Sequence, residues 1–304
     1  MTTPSAPRPA LATAPHTLKT LKGLRLLSLA LNLPGPAALM RCRQMGARCV
    51  KLEPPAGDPM QHYSPAAYAQ LHEGVKTMRA DLKTAVGQKA LHRQLAKTDV
   101  LLTSFRPSAI DKLGLSWKSL HRLYPALSHV AIVGSPGEGA EIPGHDLTYL
   151  ADNGLVPGLE LPATLFADMG GSLMASEAVL QAALRQRLGD KGVKGVRIEV
   201  ALSSAAGYLA LPRQWGLTRP AGFVGGAHAG YGVYACKDGR VAVAALEPHF
   251  AAALCTAAGV ATSSVASLQS AATRAAIARF LNKQTRAQLD ALALAHDIPL
   301  HTMA

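Results

Sequence analysis

Short apolar runs alternate with helix-length amphipathic segments over the first half of the chain. LRLLSLA (24–30), RCVKLE (48–53), DVLLTS (99–104) and HVAIVG (129–134) have the length and composition of buried strands. Segments of helical periodicity fill the intervals, at 36–46, 84–96 and, with breaks, 107–124. This alternation predicts βα units and a parallel sheet covered on both faces, hence a Rossmann-like α/β domain. From Gly170 to Leu188 apolar residues again recur at helical spacing, and GVRIEVAL (195–202) predicts one more buried strand.

The pattern changes after that strand. Residues 211–228, LPRQWGLTRPAGFVGGAH, are rich in Gly, Pro and Arg and read as a linker. YGVYACKDGRVAVAAL then predicts a β-hairpin turning at Lys237-Asp238-Gly239, where glycine supplies the positive φ of the turn. Helical stretches near 248–258, 270–283 and 285–296 complete a small α+β domain over 229–304, against a large domain over 21–210. Residues 1–20, with Pro4, Pro7, Pro9 and Pro15 and no apolar core, read as a flexible tail rather than a signal peptide.

Composition narrows the function classes. With 304 residues, 49% hydrophobic and 16% charged, the chain has the material for a packed core and is not a disordered segment. Four cysteines without CxxC spacing fit a reducing compartment, and the expected location is the cytoplasm. No apolar run reaches the roughly 18 residues that a membrane span needs. The net charge of +12 draws anions, but aromatic residues are only 5% and the cations are scattered, so a nucleic-acid platform is not expected.

Common catalytic signatures are absent: there is no GxxxxGK, GxSxG or HExxH, and GSPGEG (134–139) follows a late strand. Three titratable positions stand out instead. His145 follows Pro143-Gly144 at a predicted helix start, where neutral imidazole suits a general base, while Asp146 beside it has the ordinary reading of a helix cap. Asp168 in FADMGGS also reads as a cap. Its neighbouring glycines additionally admit a close-lying ligand, and free N–H groups at a helix start there would stabilise an oxyanion. Glu247 precedes Pro248, a position that by itself suits the helix dipole.

In order and wording these pieces resemble the α-methylacyl-CoA racemase branch of the family III CoA-transferase superfamily, from about Leu21 to the end. LKGLRLLSLALNLPGPAALMRCRQMGARCVKLEPPAGDP is similar to the family opening, with a GP turn, a V-K-x-E-P-P motif and a GDP, and TDVLLTSFRPSAIDKLGL is similar to its F-R-P-G and K-L-G-L stretch. Racemases carry G-H-D where transferases carry G-Y-D, so His145 sides with racemase, as does Glu247 in its resemblance to G-A-x-E-P-x-F.

The resemblance implies a two-domain fold whose large Rossmann-like domain binds coenzyme A, in a homodimer where Glu247 reaches a large domain. It implies inversion of the α-carbon of a 2-methylacyl-CoA by two-base proton transfer, with His145, helped by Glu247, on one face and Asp168 on the other. It makes Lys51, Lys76 and Arg106 the expected contacts of the nucleotide end, with no metal and no cofactor beyond the CoA moiety of the substrate. Two alternatives stay open: a CoA transferase using Asp168 as acyl-bearing nucleophile, and a non-catalytic CoA-binding homologue. The chain departs from the pattern in two places. Glu73-Gly74-Val75-Lys76-Thr77 replaces R-G-K-R-S, leaving Lys76 as the cation there, and the chain stops at IPLHTMA, about where relatives carry V-P-x-x-P and continue, so it is expected to be C-terminally short.

Overall fold

The computed structural model describes residues 18–190, 192–261 and 264–304. The N-terminal tail expected over 1–20 lies, as far as residue 17, outside them. The chain divides into two compact units, one ending at Leu209 and the other beginning at Ala210.

The first unit is a six-stranded, all-parallel sheet in the order β3-β2-β1-β4-β5-β6. Its strands are β1 (Arg25–Ser28), β2 (Arg48–Glu53), β3 (Lys76–Arg79), β4 (Val100–Thr103), β5 (Ser128–Val133) and β6 (Arg197–Ala201). Strand side chains alternate between faces, so each central strand serves two cores. Leu26, Val100, Leu102, Val130, Ile132 and Val200 pack on one side, where helices Pro34–Gln44 and Phe166–Leu188 lie. Leu27, Leu101 and Leu52 pack on the other with Leu91, Ile110 and Leu120 of helices Ala85–Leu95, Pro107–Lys112 and Trp117–Leu123. Burying one such leucine stabilises the fold by about 1.5–3 kcal/mol.

Two glycines set how closely the first layer packs. A Cβ on Gly35 would sit 2.1 Å from Ala30 Cβ, so the helix that opens on Pro34 starts against the end of β1. A Cβ on Gly171 would sit 2.3 Å from Leu202 Cδ2, so the Phe166–Leu188 helix rests against helix Leu202–Leu209 through the absence of a side chain.

The second unit is an antiparallel sheet, β7 (Tyr231–Cys236), β8 (Gly239–Ala244) and β9 (Leu300–Met303), with helices Pro248–Ala257, Ala271–Asn282 and Arg286–His296 contributing to its core. The hairpin turns at Lys237-Asp238, but Gly239 does not take a positive φ as expected. Its value lies elsewhere: a Cβ there would meet Met303 O of β9 at 2.3 Å. Strands β3 and β9 are not visible in the hydrophobic pattern, because KTMR and LHTM are edge strands with mostly exposed or half-exposed side chains. Among the described residues no helix is long and apolar enough to cross a membrane.

Candidate active site

In an open parallel sheet, ligands bind beyond the carboxyl ends of the strands where the strand order reverses. Here the reversal falls between β1 and β4, whose following loops are joined by the Leu31 N–H donating to Ser104 Oγ at 3.2 Å. Asn32 leaves β1 with φ 62°, and its backbone N–H lies 3.1 Å from each carboxylate oxygen of Asp58.

Asp58 belongs to a sealed polar cluster. Lys51, fully buried on β2, donates to the Asp58 carboxylate and to His72 Nε2 at 2.8 Å, and lies 3.3 Å from Glu53 Oε1. Its ammonium stands 5.5 Å from the centre of the Tyr68 ring, whose hydroxyl donates to Glu53 Oε1 at 2.8 Å. With Nδ1 of His72 bonded to the Tyr68 carbonyl at 2.7 Å, that nitrogen carries the proton and Nε2 accepts from Lys51. Burial, and then the nearby ammonium, hold the His72 pKa below its ordinary value against the pull of that carbonyl.

Lys51 is therefore not the solvated cation that its type suggests: its ammonium is hydrogen-bonded to Asp58 and His72 and ion-paired with Glu53 inside the protein. Glu53, Asp58 and His72 also bring three metal-ligating atoms within 4.8 Å of one another, but the ammonium stands among them and supplies the positive charge a metal would.

The second polar cluster is built by two helix starts. His145 occupies the N-cap of helix Asp146–Asp152 with extended backbone, its N–H donating to Thr148 Oγ1 at 3.1 Å. Tyr149 fixes this turn by lying on bare backbone: Cβ atoms on Gly134 and Gly144 would fall 2.3 and 2.7 Å from its ring or hydroxyl. Asp146 is buried and does not cap its own helix. Its Oδ1 accepts the backbone N–H of Asp168 at 3.0 Å, capping the Phe166–Leu188 helix instead and drawing the two helix starts together.

Asp168 lies in the first turn of that helix, half-buried. Its carboxyl pKa is pushed up to about 6, first by burial and then by the charge of Asp146, with His145 acting in the opposite sense. Tyr149 is raised by burial and then by Asp168, and lowered by Arg106, so Arg106 belongs to the same electrostatic neighbourhood. The oxyanion site expected beside Asp168 is not formed by its glycines. The helix begins at Phe166, four residues earlier than the periodicity indicates, so Gly170 and Gly171 lie inside it and serve packing.

The remaining expected residues divide by position. Arg106 is exposed at the carboxyl end of β4, next to Phe105. Phe105 and Lys83 line a crevice of about 180 Å³ with Leu29, Leu31, Leu52 and Pro54, beyond the ends of β1, β2 and β3. Lys76 is exposed but begins β3, about 10 Å of strand away from that edge. Lys83 is thus the cation better placed on the crevice. Glu247 is exposed at the N-cap of helix Pro248–Ala257 in the second unit.

A doubly wound parallel sheet that carries an imidazole and a perturbed carboxyl at one helix-start junction, with cations and an apolar crevice beyond its strand ends, has the usual arrangement of a ligand site in an open α/β fold. The chain belongs to CoA-transferase family III, whose family model matches residues 21–304. It is 29% identical over 249 residues to the human alpha-methylacyl-CoA racemase, covering 76% of this chain and 62% of that protein. It is 33% identical over 149 residues to the cinnamoyl-CoA:phenyllactate CoA-transferase of Clostridium sporogenes, covering 45% of this chain and 36% of that one. The chain thus spans less than two thirds of the length of either relative. The fold is that of a CAIB/BAIF family protein from Brucella suis, at a TM-score of 0.76 and 24% identity over 93% of this chain and 84% of that one. Racemases and CoA-transferases both stand among the relatives, so the family is enzymatic and acts on acyl-CoA thioesters.

Proposed function

We propose that this chain is an α-methylacyl-CoA racemase or closely related acyl-CoA epimerase. The observation that carries the reading is the Asp168 carboxyl, held near pH 6 beside Asp146 and His145. A group that titrates close to neutrality gives and takes protons readily, which is what deprotonation and reprotonation at one carbon require. A nucleophile that must carry an acyl group attacks as the carboxylate, so a pKa near 6 is not something that route requires.

In this reading His145 removes the proton α to the thioester carbonyl, and the electron pair moves into an enolate. Protonated Asp168 returns a proton to the opposite face, and the reverse sequence converts the other epimer. The enolate oxygen needs fixed dipoles or cations near it. As the family resemblance implies, Glu247 assists His145 within a homodimer. Arg106 and Lys83 suit the phosphates of the nucleotide end, with the crevice beside Phe105 taking its apolar parts.

The test is transfer of solvent deuterium to the α-carbon of a panel of 2-methyl- and 2-aryl-acyl-CoAs. Asp168→Ala and His145→Ala are each expected to lower exchange by about 10²–10⁴-fold while acyl-CoA binding persists. In the CoA-transferase alternative, Asp168→Ala abolishes CoA transfer to a free acid while His145→Ala only slows it, and no exchange accompanies turnover. Binding of acyl-CoA with neither reaction in the wild type overturns both in favour of a non-catalytic homologue.

A further inference from the structure

On the sheet face turned away from the Phe166–Leu188 helix, the covering layer stops short of the last strand. Helices Pro107–Lys112 and Trp117–Leu123 pack there against Leu101 and Leu127, but β6 presents Arg197 and Glu199 on this side, paired at 2.8 Å and only 33% and 26% exposed. Between the helices and β5–β6 lies a cavity of about 270 Å³. Strand alternation separates it from the Asp168 cluster, because His129, Ala131 and Val133 face it whereas Val130 and Ile132 pack with the Phe166–Leu188 helix.

Its lining is matched to a particular chemistry. Phe105, Ile110 and Trp117 form an apolar wall. Opposite stands His129, 2% exposed, with Nε2 at 2.8 Å from Thr103 Oγ1 and Nδ1 buried without a hydrogen-bond partner. A buried polar atom left unpaired is costly and rare, and it calls for a partner. Burial, then the charge of Arg197, push the His129 pKa down to about 4, so the ring is neutral at ordinary pH. When the Thr103 hydroxyl donates to Nε2, Nδ1 carries the proton and becomes a donor. Arg197 directs one N–H to Glu199 and retains others. Asp111 also lines the cavity and repels any negative charge, so an anion is held on the Arg197 side and a second one is disfavoured further.

We propose that this cavity is a second small-molecule site, which takes a monocarboxylate with a flat apolar body about the size of benzoate. The carboxylate bridges His129 Nδ1–H and the Arg197 guanidinium, and the ring lies along Phe105, Ile110 and Trp117. The volume falls just below the roughly 300–1,000 Å³ of pockets for drug-sized ligands, which limits the occupant to a small molecule.

The experiment is a benzoate titration of the full chain carrying Trp215→Phe, which leaves Trp117 as the single tryptophan of the two. A saturable change in Trp117 fluorescence at millimolar benzoate or below is expected, together with a ¹⁵N signature of a protonated, hydrogen-bonded Nδ1 on His129. Arg197→Gln and the cavity-filling Ala131→Leu are each expected to weaken binding about tenfold or more, as are replacement of benzoate by benzyl alcohol and by phthalate. Absence of a saturable change, equal binding by Arg197→Gln, or equal binding of benzyl alcohol or phthalate overturns the proposal.

Discussion

Two groups of ionisable side chains in the large unit follow opposite designs. Around Lys51, charge is balanced: an ammonium with no exposure sits against Asp58, Glu53 and His72, the half-exposed Arg79 stands 4.0 Å from the other oxygen of Glu53, and Asp58 turns its remaining capacity to the backbone at Asn32 and Met60. Around Asp168, charge is left unbalanced: two carboxyls share one helix junction, Asp146 sealed on a backbone N–H and Asp168 half-buried, with the exposed His145 acting against their repulsion. Residue type does not separate the two groups. Compensation does, since a compensated cluster shapes a loop, whereas an uncompensated one moves a proton's affinity toward neutrality.

The comparison breaks most visibly at Lys51. Lys51→Met leaves Asp58 buried without its cation and Glu53 with Arg79 alone, and a loss of about 3–5 kcal/mol, or failure to fold, is expected in urea denaturation. Neutralising the partners as well, in Lys51→Met with Asp58→Asn and Glu53→Gln, is expected to recover part of that loss. A single variant as stable as the wild type would mean that the cluster is not a closed ion system.

At Asp168 the same kind of change has the opposite sign. Its folded pKa, about 6, lies above the ordinary 3.8, so the folded state binds the extra proton between those values and loses stability as pH rises through them. Asp168→Asn is therefore expected to be more stable than the wild type at pH 7.5, by about 1–3 kcal/mol, with the gain absent at pH 3.5. Comparing unfolding midpoints at the two pH values checks this, and a variant less stable than the wild type at pH 7.5 contradicts the unbalanced design.

Much of the scaffold was legible because it rests on periodicity. The central strands and the helices at 85–95, 248–257 and 271–282 follow from apolar spacing, and a buried parallel strand has little else it can look like. Strands β3 and β9 escaped because KTMR and LHTM are short and carry too little apolar alternation, and the start of the Asp168 helix escaped because Leu165, Phe166 and Met169 are exposed there despite being apolar. The site was legible in part. His145 and Asp168 stood at element boundaries, but sequence cannot show that Asp146 caps a helix 22 positions away. The setting of Lys51 was hidden for the same reason: Glu53 shares its face of β2, but Asp58 joins them only through the loop after that strand.

The central claim is that an unbalanced carboxyl at position 168 moves the proton, and the pH dependence of α-deuterium exchange tests it most directly. The wild type is expected to show a limb near pH 6 from Asp168. Asp146→Asn keeps an oxygen to accept the Asp168 N–H while removing the second negative charge, and is expected to move that limb down by about half to one pH unit. No limb between about pH 5 and 7, or a limb that Asp146→Asn leaves in place, would contradict the account.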